Sequence, residues 1–202
     1  MRTIILTLVS LSAIIAITPV YAQNKINPGD DLPSIKTVFR NANGNSTALA
    51  DAFGQNGLLV MFSSNTCQFV IKNQPITKKV MEFAAAHNVG MAIINANEGK
   101  RDGDDSYEAM KKYAKEQGYT VPYLVDENSA LADMFGATHT PEVYLFSKQH
   151  KLVYKGAMND NPSNPDGYKK MYIEDAINAM IAGKEVDPKT TRSIGCGIKR
   201  KT

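Results

Sequence analysis

Two cysteines are the residues best suited to chemistry in this chain of 202 residues, Cys67 and Cys196. Cys67 follows an apolar run at 57–62 that predicts a short buried strand. A cluster of Ser, Asn and Thr separates that run from a helical pattern, so we expect Cys67 in the first turn of a helix. There the helix dipole and free backbone N–H groups favour a thiolate over a thiol. The position predicts a redox or nucleophilic site, and a buried structural thiol is the alternative.

The second cysteine lies far along the chain, between two glycines in a segment without periodicity. Because glycines give a mobile backbone, Cys196 is interpreted first as a resolving thiol that swings to Cys67. A second interpretation is a permanent disulfide between the two, which would stabilise the fold by about 5 kcal/mol in the chain-entropy model. A third is a free thiol that pairs with another chain.

Apolar and helical patterns predict the elements that position the first cysteine. Their order, β-(Cys)α-β-α-β-α-β-β-α, is typical of an α/β sandwich whose parallel strands come first and whose sheet a hairpin closes. Pro75 predicts a break near 73–74 in the helix after the cysteine. A later helix is expected over 106–117, with Asp104 or Asp105 as its N-cap.

The N-terminal residues have the pattern of a secretory signal peptide. An apolar run without acidic residues follows Arg2, and small residues precede a predicted cleavage between Ala22 and Gln23. We therefore expect export, with a periplasm as the destination. The expected organisation is a signal peptide at 1–22, a lead-in loop at 23–34, one folded α/β domain at 35–185 and a C-terminal tail at 186–202 that carries the second cysteine.

Composition excludes several other function classes. Without the signal peptide the chain has 22 basic and 20 acidic residues, a net charge of +2 that gives no reason to expect nucleic acid as a partner. The run Asp102-Gly103-Asp104-Asp105 lacks the ligand spacing of a calcium loop, and no His/Cys/Asp cluster has metal spacing. We expect no metal, no cofactor and no membrane contact after cleavage of the signal peptide.

Four stretches resemble the peroxiredoxin-like branch of the thioredoxin-fold superfamily, of the alkyl hydroperoxide reductase/thiol-specific antioxidant or redoxin type. They are 62–70 around the first cysteine, 126–146, 151–156 and 193–199. The resemblance implies a thioredoxin-like three-layer α/β/α sandwich with a mixed central sheet. It also implies that Thr140-Pro141 is a cis bond facing Cys67, which exposes the preceding backbone groups to an extended partner peptide or a thiol substrate.

The cysteine turn departs from that family pattern. Ser64 replaces the first cysteine of a Cys-x-x-Cys pair, and the resulting Ser-x-x-Cys more nearly resembles the Thr-x-x-Cys of peroxiredoxins. Val60 and Gln68 stand where prolines are usual, and no arginine matches the one that peroxiredoxins place near the sulfur. We expect Ser64 to cap the helix, with contact to the sulfur as the alternative. His139 could stabilise a thiolate, although a surface histidine is the more common outcome.

These residues predict an exported thiol-dependent oxidoreductase that reduces a peroxide or exchanges a disulfide through Cys67. Cys196 or an external thiol resolves the sulfenic acid or mixed disulfide, and Ser64, Thr140 and Pro141 complete the site. The expected partners are a thioredoxin-like reductant or a protein thiol or disulfide, with a peroxide or a small thiol as substrate. The alternative is a binding or scaffold protein of the same fold, with a structural Cys67–Cys196 disulfide and little or no turnover.

Overall fold

The computed structural model describes residues 25–201, so the predicted signal peptide lies outside the described residues. The strands are β1 Val38–Arg40, β2 Ser46–Ala48, β3 Gly57–Ser63, β4 Val89–Asn95, β5 Tyr123–Val125, β6 His139–Thr140, β7 Glu142–Ser147, β8 Leu152–Gly156 and β9 Cys196–Gly197. The α-helices are α1 Gln68–Lys72, α2 Gln74–Ala86, α3 Tyr107–Gln117, α4 Ala130–Phe135 and α5 Tyr172–Ile181. Short 3-10 turns occur at Leu49–Ala52, Glu98–Lys100, Glu127–Ser129 and Pro165–Gly167.

A mixed sheet of five strands, in the order β5-β4-β3-β7-β8, forms the centre of the fold. β3, β4 and β5 run parallel, whereas β7 is antiparallel to β3, and β8 is antiparallel to β7. This confirms the predicted order of parallel strands followed by a closing hairpin. Every residue of β3 is buried because helices cover both faces of the sheet, which explains its continuous apolar sequence.

Side chains of β3 alternate between two hydrophobic clusters, one on each face of the sheet. Met61 packs on the face covered by α2, α3 and α5, with Val80 and Ile177 among its neighbours in the cluster. Phe62 lies in the opposite cluster, where its ring meets Phe135 of α4 edge-on at 5.3 Å. The predicted three-layer α/β/α architecture is therefore confirmed.

The helix boundaries confirm one prediction and correct another. Pro75 lies in the first turn of α2, and the chain breaks between α1 and α2 at Asn73 as predicted. The predicted N-cap of α3 is wrong: Ser106 caps the helix, and its hydroxyl accepts a hydrogen bond from the N–H of Ala109 at 3.3 Å. Asp105 turns into the interior instead, where it is fully buried.

Residues 189–200, here called the strap, pack across one end of the sheet instead of forming a loose tail. Lys155 of β8 holds the start of the strap, because its carbonyl accepts from the N–H of Thr191 at 3.0 Å. Further along, β9 pairs antiparallel with β6, and Ile198 is buried in the same cluster as Phe135. Both flanks of Cys196 are thus attached to the domain.

The described part of the chain, 25–201, contains no helix that is both long and apolar enough to cross a membrane.

Candidate active site

Cys67 lies in the turn that joins β3 to α1. β3 ends at Ser63 and α1 begins at Gln68, so Cys67 is the N-cap residue rather than a member of the first turn. Its side chain is buried, with 4% of its surface exposed. At the N-cap the residue lies beside the free N–H groups that begin α1, and the N–H of Val70 contributes to lowering the pKa of its thiol.

The bond between Thr140 and Pro141 is cis, as the family resemblance implies. The carbonyl oxygen of Thr140 lies 3.0 Å from the Sγ atom of Cys67, which donates to it as a thiol. Thr140 is buried, and its own hydroxyl has no other hydrogen-bond partner among the described residues. Two polar groups of Thr140 therefore face the sulfur, one that accepts from the thiol and one that can donate to the thiolate.

The strap brings the second cysteine to this position. In the β6–β9 pair, Cys196 lies directly opposite Thr140 and Gly197 lies opposite His139. The two thiols are close enough for each to shift the pKa of the other, and both cysteines are free. Cys196 is more exposed than Cys67, and it reaches its partner without the swing that its flanking glycines suggested.

The environment drives the pKa values of the two thiols apart. Burial alone raises the pKa of Cys67, but hydrogen bonds from the Cys196 thiol, the Thr140 hydroxyl and the N–H groups of Val70 and Cys196 outweigh it. The pKa of Cys67 therefore lies below its usual value. Burial raises the pKa of Cys196, and the neighbouring sulfur of Cys67 raises it further. Of the two thiols, Cys67 is therefore the one whose surroundings favour the thiolate.

A buried carboxylate fixes the cysteine turn from behind. One oxygen of Asp105 accepts from the backbone N–H of Asn65 at 2.8 Å and from the side-chain amide of Asn95 at 2.7 Å. The other oxygen accepts from the hydroxyl of Ser64 at 3.2 Å and from the amide of Asn97 at 2.9 Å. Four neutral donors converge on one carboxylate, so this group satisfies the turn, the end of β4 and the segment beyond β4 together.

The same junction also reaches the strap. The side-chain oxygen of Asn97 accepts from the N–H of Lys199 at 2.8 Å, while the amide of Asn97 donates to Asp105. The carbonyl of Lys199 accepts in turn from the N–H of Gly99 at 2.7 Å. Asp105 therefore holds the Cys67 turn directly and the Cys196 segment through one amide.

Ser64 takes neither of the roles expected from the sequence. Its hydroxyl donates to Asp105 and accepts from the N–H of Thr66 at 3.2 Å. Helix α1 begins at Gln68, four residues after Ser64, and Cys67 occupies its N-cap position. The predicted cap is therefore wrong, and the hydroxyl bonds within the turn instead of to the sulfur of Cys67.

Two basic side chains bear on the prediction of a thiolate-stabilising group, His139 and Arg101, and both hydrogen-bond to other groups of the chain. The ring of His139 hydrogen-bonds the hydroxyl of Thr138 at 2.8 Å. Arg101 donates to the backbone carbonyl of Asp105 at 2.7 Å and to that of Asn95 at 2.8 Å, so it holds the loop that carries the buried carboxylate. This arginine supports the site from behind.

A tyrosine pair borders the site on another side. The amide of Gln74 donates to the hydroxyls of Tyr113 and Tyr119, each at 2.8 Å. Burial raises the pKa of Tyr113, and the charges of Cys67 and Asp105 contribute to the same shift. Tyr113 therefore stays neutral.

Sequence reasoning missed Asp105, Asn97 and the tyrosines. One signal was available for the asparagines: Asn95 ends β4 and Asn97 follows it, beside the carboxyl end of the parallel strand β3 that leads to Cys67. Within residues 25–201, no group of three or more His, Cys, Asp or Glu side chains could hold a metal ion.

Comparisons with known proteins agree with this geometry. The family model described as Redoxin matches residues 27–171. An uncharacterised conserved protein from Geobacillus kaustophilus is 34% identical with a TM-score of 0.79, and the alignment covers 88% of this chain and 94% of that one. A hypothetical protein from Sinorhizobium meliloti 1021 is 30% identical with a TM-score of 0.78, covering 89% and 97%. The thiol-disulfide oxidoreductase ResA of Bacillus subtilis (strain 168) is 22% identical over 131 residues, 65% of this chain and 68% of ResA.

Asp105→Asn should lower the free energy of unfolding by about 2–4 kcal/mol, because it sets an NH₂ group against donors that lose their acceptor. Urea unfolding measures the change. Asp104→Asn is the matched control, since Asp104 is the exposed neighbour in the same loop, and it should change stability by less than about 0.5 kcal/mol. Equal effects of the two substitutions would contradict the role of the buried carboxylate.

The pH dependence of alkylation should separate the two thiols. The rate at which iodoacetamide modifies Cys67, followed by mass spectrometry, should rise with pH through a midpoint below the ordinary thiol value of about 8.5. Cys196→Ala should move that midpoint up, because the thiolate loses a donor. A midpoint that does not move, or that moves down, would exclude Cys196 as a stabiliser of the thiolate.

Proposed function

We propose, since this chain belongs to the Redoxin family and is a thiol-dependent oxidoreductase, that Cys67 is its nucleophile and Cys196 closes its disulfide. The observation that carries the proposal is the β6–β9 register, which sets Cys196 opposite the Thr140 that Cys67 contacts at 3.0 Å, and the pKa values of the two thiols are shifted in opposite directions. A low-pKa attacking thiol beside a protonated partner is the arrangement that thiol–disulfide chemistry requires.

In the first step, the thiolate of Cys67 attacks one oxygen of a peroxide. A sulfur–oxygen bond forms, the oxygen–oxygen bond breaks, and the alkoxide or hydroxide leaves with the electron pair and takes up a proton. Cys67 is oxidised to a sulfenic acid while the peroxide is reduced to an alcohol or water. A disulfide substrate reacts by the same attack, and its leaving sulfur departs as a thiolate.

In the second step, the sulfur of Cys196 attacks the oxidised Cys67. The disulfide forms and the hydroxyl group leaves as water with the proton of the Cys196 thiol. Two thiols of an external reductant, which we propose to be a thioredoxin-like protein, then reopen the bond. The first forms a mixed disulfide and releases one cysteine, and the second releases the other as the reductant becomes oxidised.

Thr140 and Pro141 orient the reacting sulfur in this scheme. The cis bond turns the carbonyl of Thr140 toward Cys67, where it accepts from the resting thiol. Once the thiolate forms, the buried hydroxyl of Thr140 donates to it. Ser64 is proposed as a positioning residue, because it fixes the turn through Asp105.

A structural disulfide in a scaffold protein is the second candidate. The absence of a Cys-x-x-Cys pair, with Ser64 in its first position, favours it, as does Val60 in place of the usual proline. The attachment of the strap on both sides of Cys196 also favours it. The same contact that permits rapid disulfide formation also permits a permanent link. The two candidates differ in whether the bond reopens.

Oxidant titration separates the candidates. The purified, reduced chain should lose both free thiols with hydrogen peroxide or a small disulfide, form the Cys67–Cys196 bond, and recover both thiols with reduced thioredoxin. Cys196→Ser should stop at a sulfenic acid that dimedone traps, and Cys67→Ser should react at least about 100-fold more slowly. A Cys67 that never labels, oxidises or exchanges would rule out the redox function, and a bond that reductant cannot reopen would favour the scaffold.

We also propose that the chain is exported and that residues 1–22 are removed as a signal peptide. Expression of the full-length chain in a bacterial host should give a periplasmic product whose intact mass corresponds to an N-terminus at Gln23. Replacing three leucine or isoleucine residues of the apolar run with aspartate should retain the protein in the cytoplasm. A full-length chain recovered with residues 1–22 intact from the cytoplasm would contradict the proposal.

A further inference from the structure

The strap occupies the backbone edge beside the reactive cysteine. β6 has only two residues, and its edge next to Cys67 is already paired with β9. The N–H of Ile198 extends that pairing by donating to the carbonyl of Thr138 at 3.0 Å. An extended polypeptide binds a sheet by pairing with a free edge, and this edge is taken.

The strap also fits too closely at this point to share the edge with a second chain. A Cβ atom added at Gly195 would overlap the carbonyl oxygen of Thr140. Glycine is therefore the residue that lets the backbone of the strap lie directly against the Thr140–Pro141 bond. The backbone of a partner chain could not fit between the strap and the Thr140–Pro141 bond.

Anchors after the reactive segment keep the strap in place. Ile198 is buried in the hydrophobic cluster, and Lys199 is bonded to Asn97 and Gly99. Arg200 donates to the carboxylate of Asp133 at 2.7 Å and to the carbonyl of Ala137 at 2.9 Å. Displacing the strap means breaking all of these contacts together.

We propose that residues 193–199 are a specificity-determining segment that closes the edge of β6 to extended polypeptides, so that the oxidants of Cys67 are small molecules. Cys196 holds the place that the cysteine of a polypeptide substrate would need beside Cys67. This inference rests on the proposed function, since it specifies the class of substrate that reaches the same sulfur.

The test compares two reagents with the same leaving group on the Cys196→Ser chain, in which Cys67 is the sole thiol. One is the mixed disulfide of thionitrobenzoate with N-acetylcysteine, and the other is the same mixed disulfide on the cysteine of a short unstructured peptide. In each case the Cys67 thiolate attacks the cysteine sulfur, a new disulfide forms, the old one breaks, and coloured thionitrobenzoate leaves with the electron pair. Each rate is divided by the rate of the same reagent with dithiothreitol.

The peptide reagent should react with Cys67 at least about tenfold more slowly than the small reagent after this correction. Introducing Arg200→Ala or Gly195→Ala into the same chain should reduce the difference between the corrected rates of the two reagents, because each substitution loosens the strap at a different point. Lys201→Ala is the control at the exposed end of the chain and should leave the gap unchanged. Rates with hydrogen peroxide should vary less than the peptide rates across all of these chains.

The results distinguish the inference from the proposed function. Equal corrected rates for the two reagents would overturn the role of the strap, while reaction with both would leave Cys67 as the nucleophile. A gap that persists in both strap variants would also overturn it. A Cys67 that reacts with neither reagent nor with hydrogen peroxide would overturn both proposals.

Discussion

The antiparallel pairing of Thr140 with Cys196 is the constraint on which the site depends. It places the second thiol against Cys67 although the two cysteines are distant in sequence. It also supplies the thiolate with donors from both sides, the hydroxyl of Thr140 and the N–H and thiol of Cys196. In the proposed function a separate dithiol motif in the turn is therefore unnecessary, because Cys196 takes the place of the cysteine that Ser64 replaces.

Asp105 fixes the positions of the two segments that meet at this pairing. Its carboxylate accepts hydrogen bonds from the turn before Cys67, and through Asn97 it also holds the segment after Cys196. The segments that carry the two cysteines are therefore attached to the same buried group. A buried carboxylate with four donors is stable only if every donor is in place, which favours one geometry over neighbouring ones. The cost of that arrangement is a carboxylate buried behind the cysteine turn, and its four donors offset that cost.

Local sequence patterns predict the strands and helices that carry Cys67, but they do not predict the contacts that bring Cys196 and Asp105 to the site. The apolar strand before Cys67, the break at Pro75 and the closing hairpin follow from periodicity and proline geometry, and the cis bond at Pro141 followed from family resemblance. The pairing of β9 left no trace in the sequence, because two residues carry no periodicity. Asp105 acts on a turn 41 positions away and looks like any other acidic loop residue. The local sequence favours a helix cap for Ser64, because its partner Asp105 lies 41 positions away and no local pattern points to it.

The reduction potential of the Cys67–Cys196 pair tests the central claim most directly. The chain is equilibrated in buffers of graded thiol–disulfide ratio, and the fraction of disulfide is measured by alkylation and mass spectrometry. A catalytic pair should give one reversible two-electron transition at a potential above about −300 mV, within reach of a thioredoxin-like reductant. A bond that stays closed well below that potential, or one that never forms, would contradict the account.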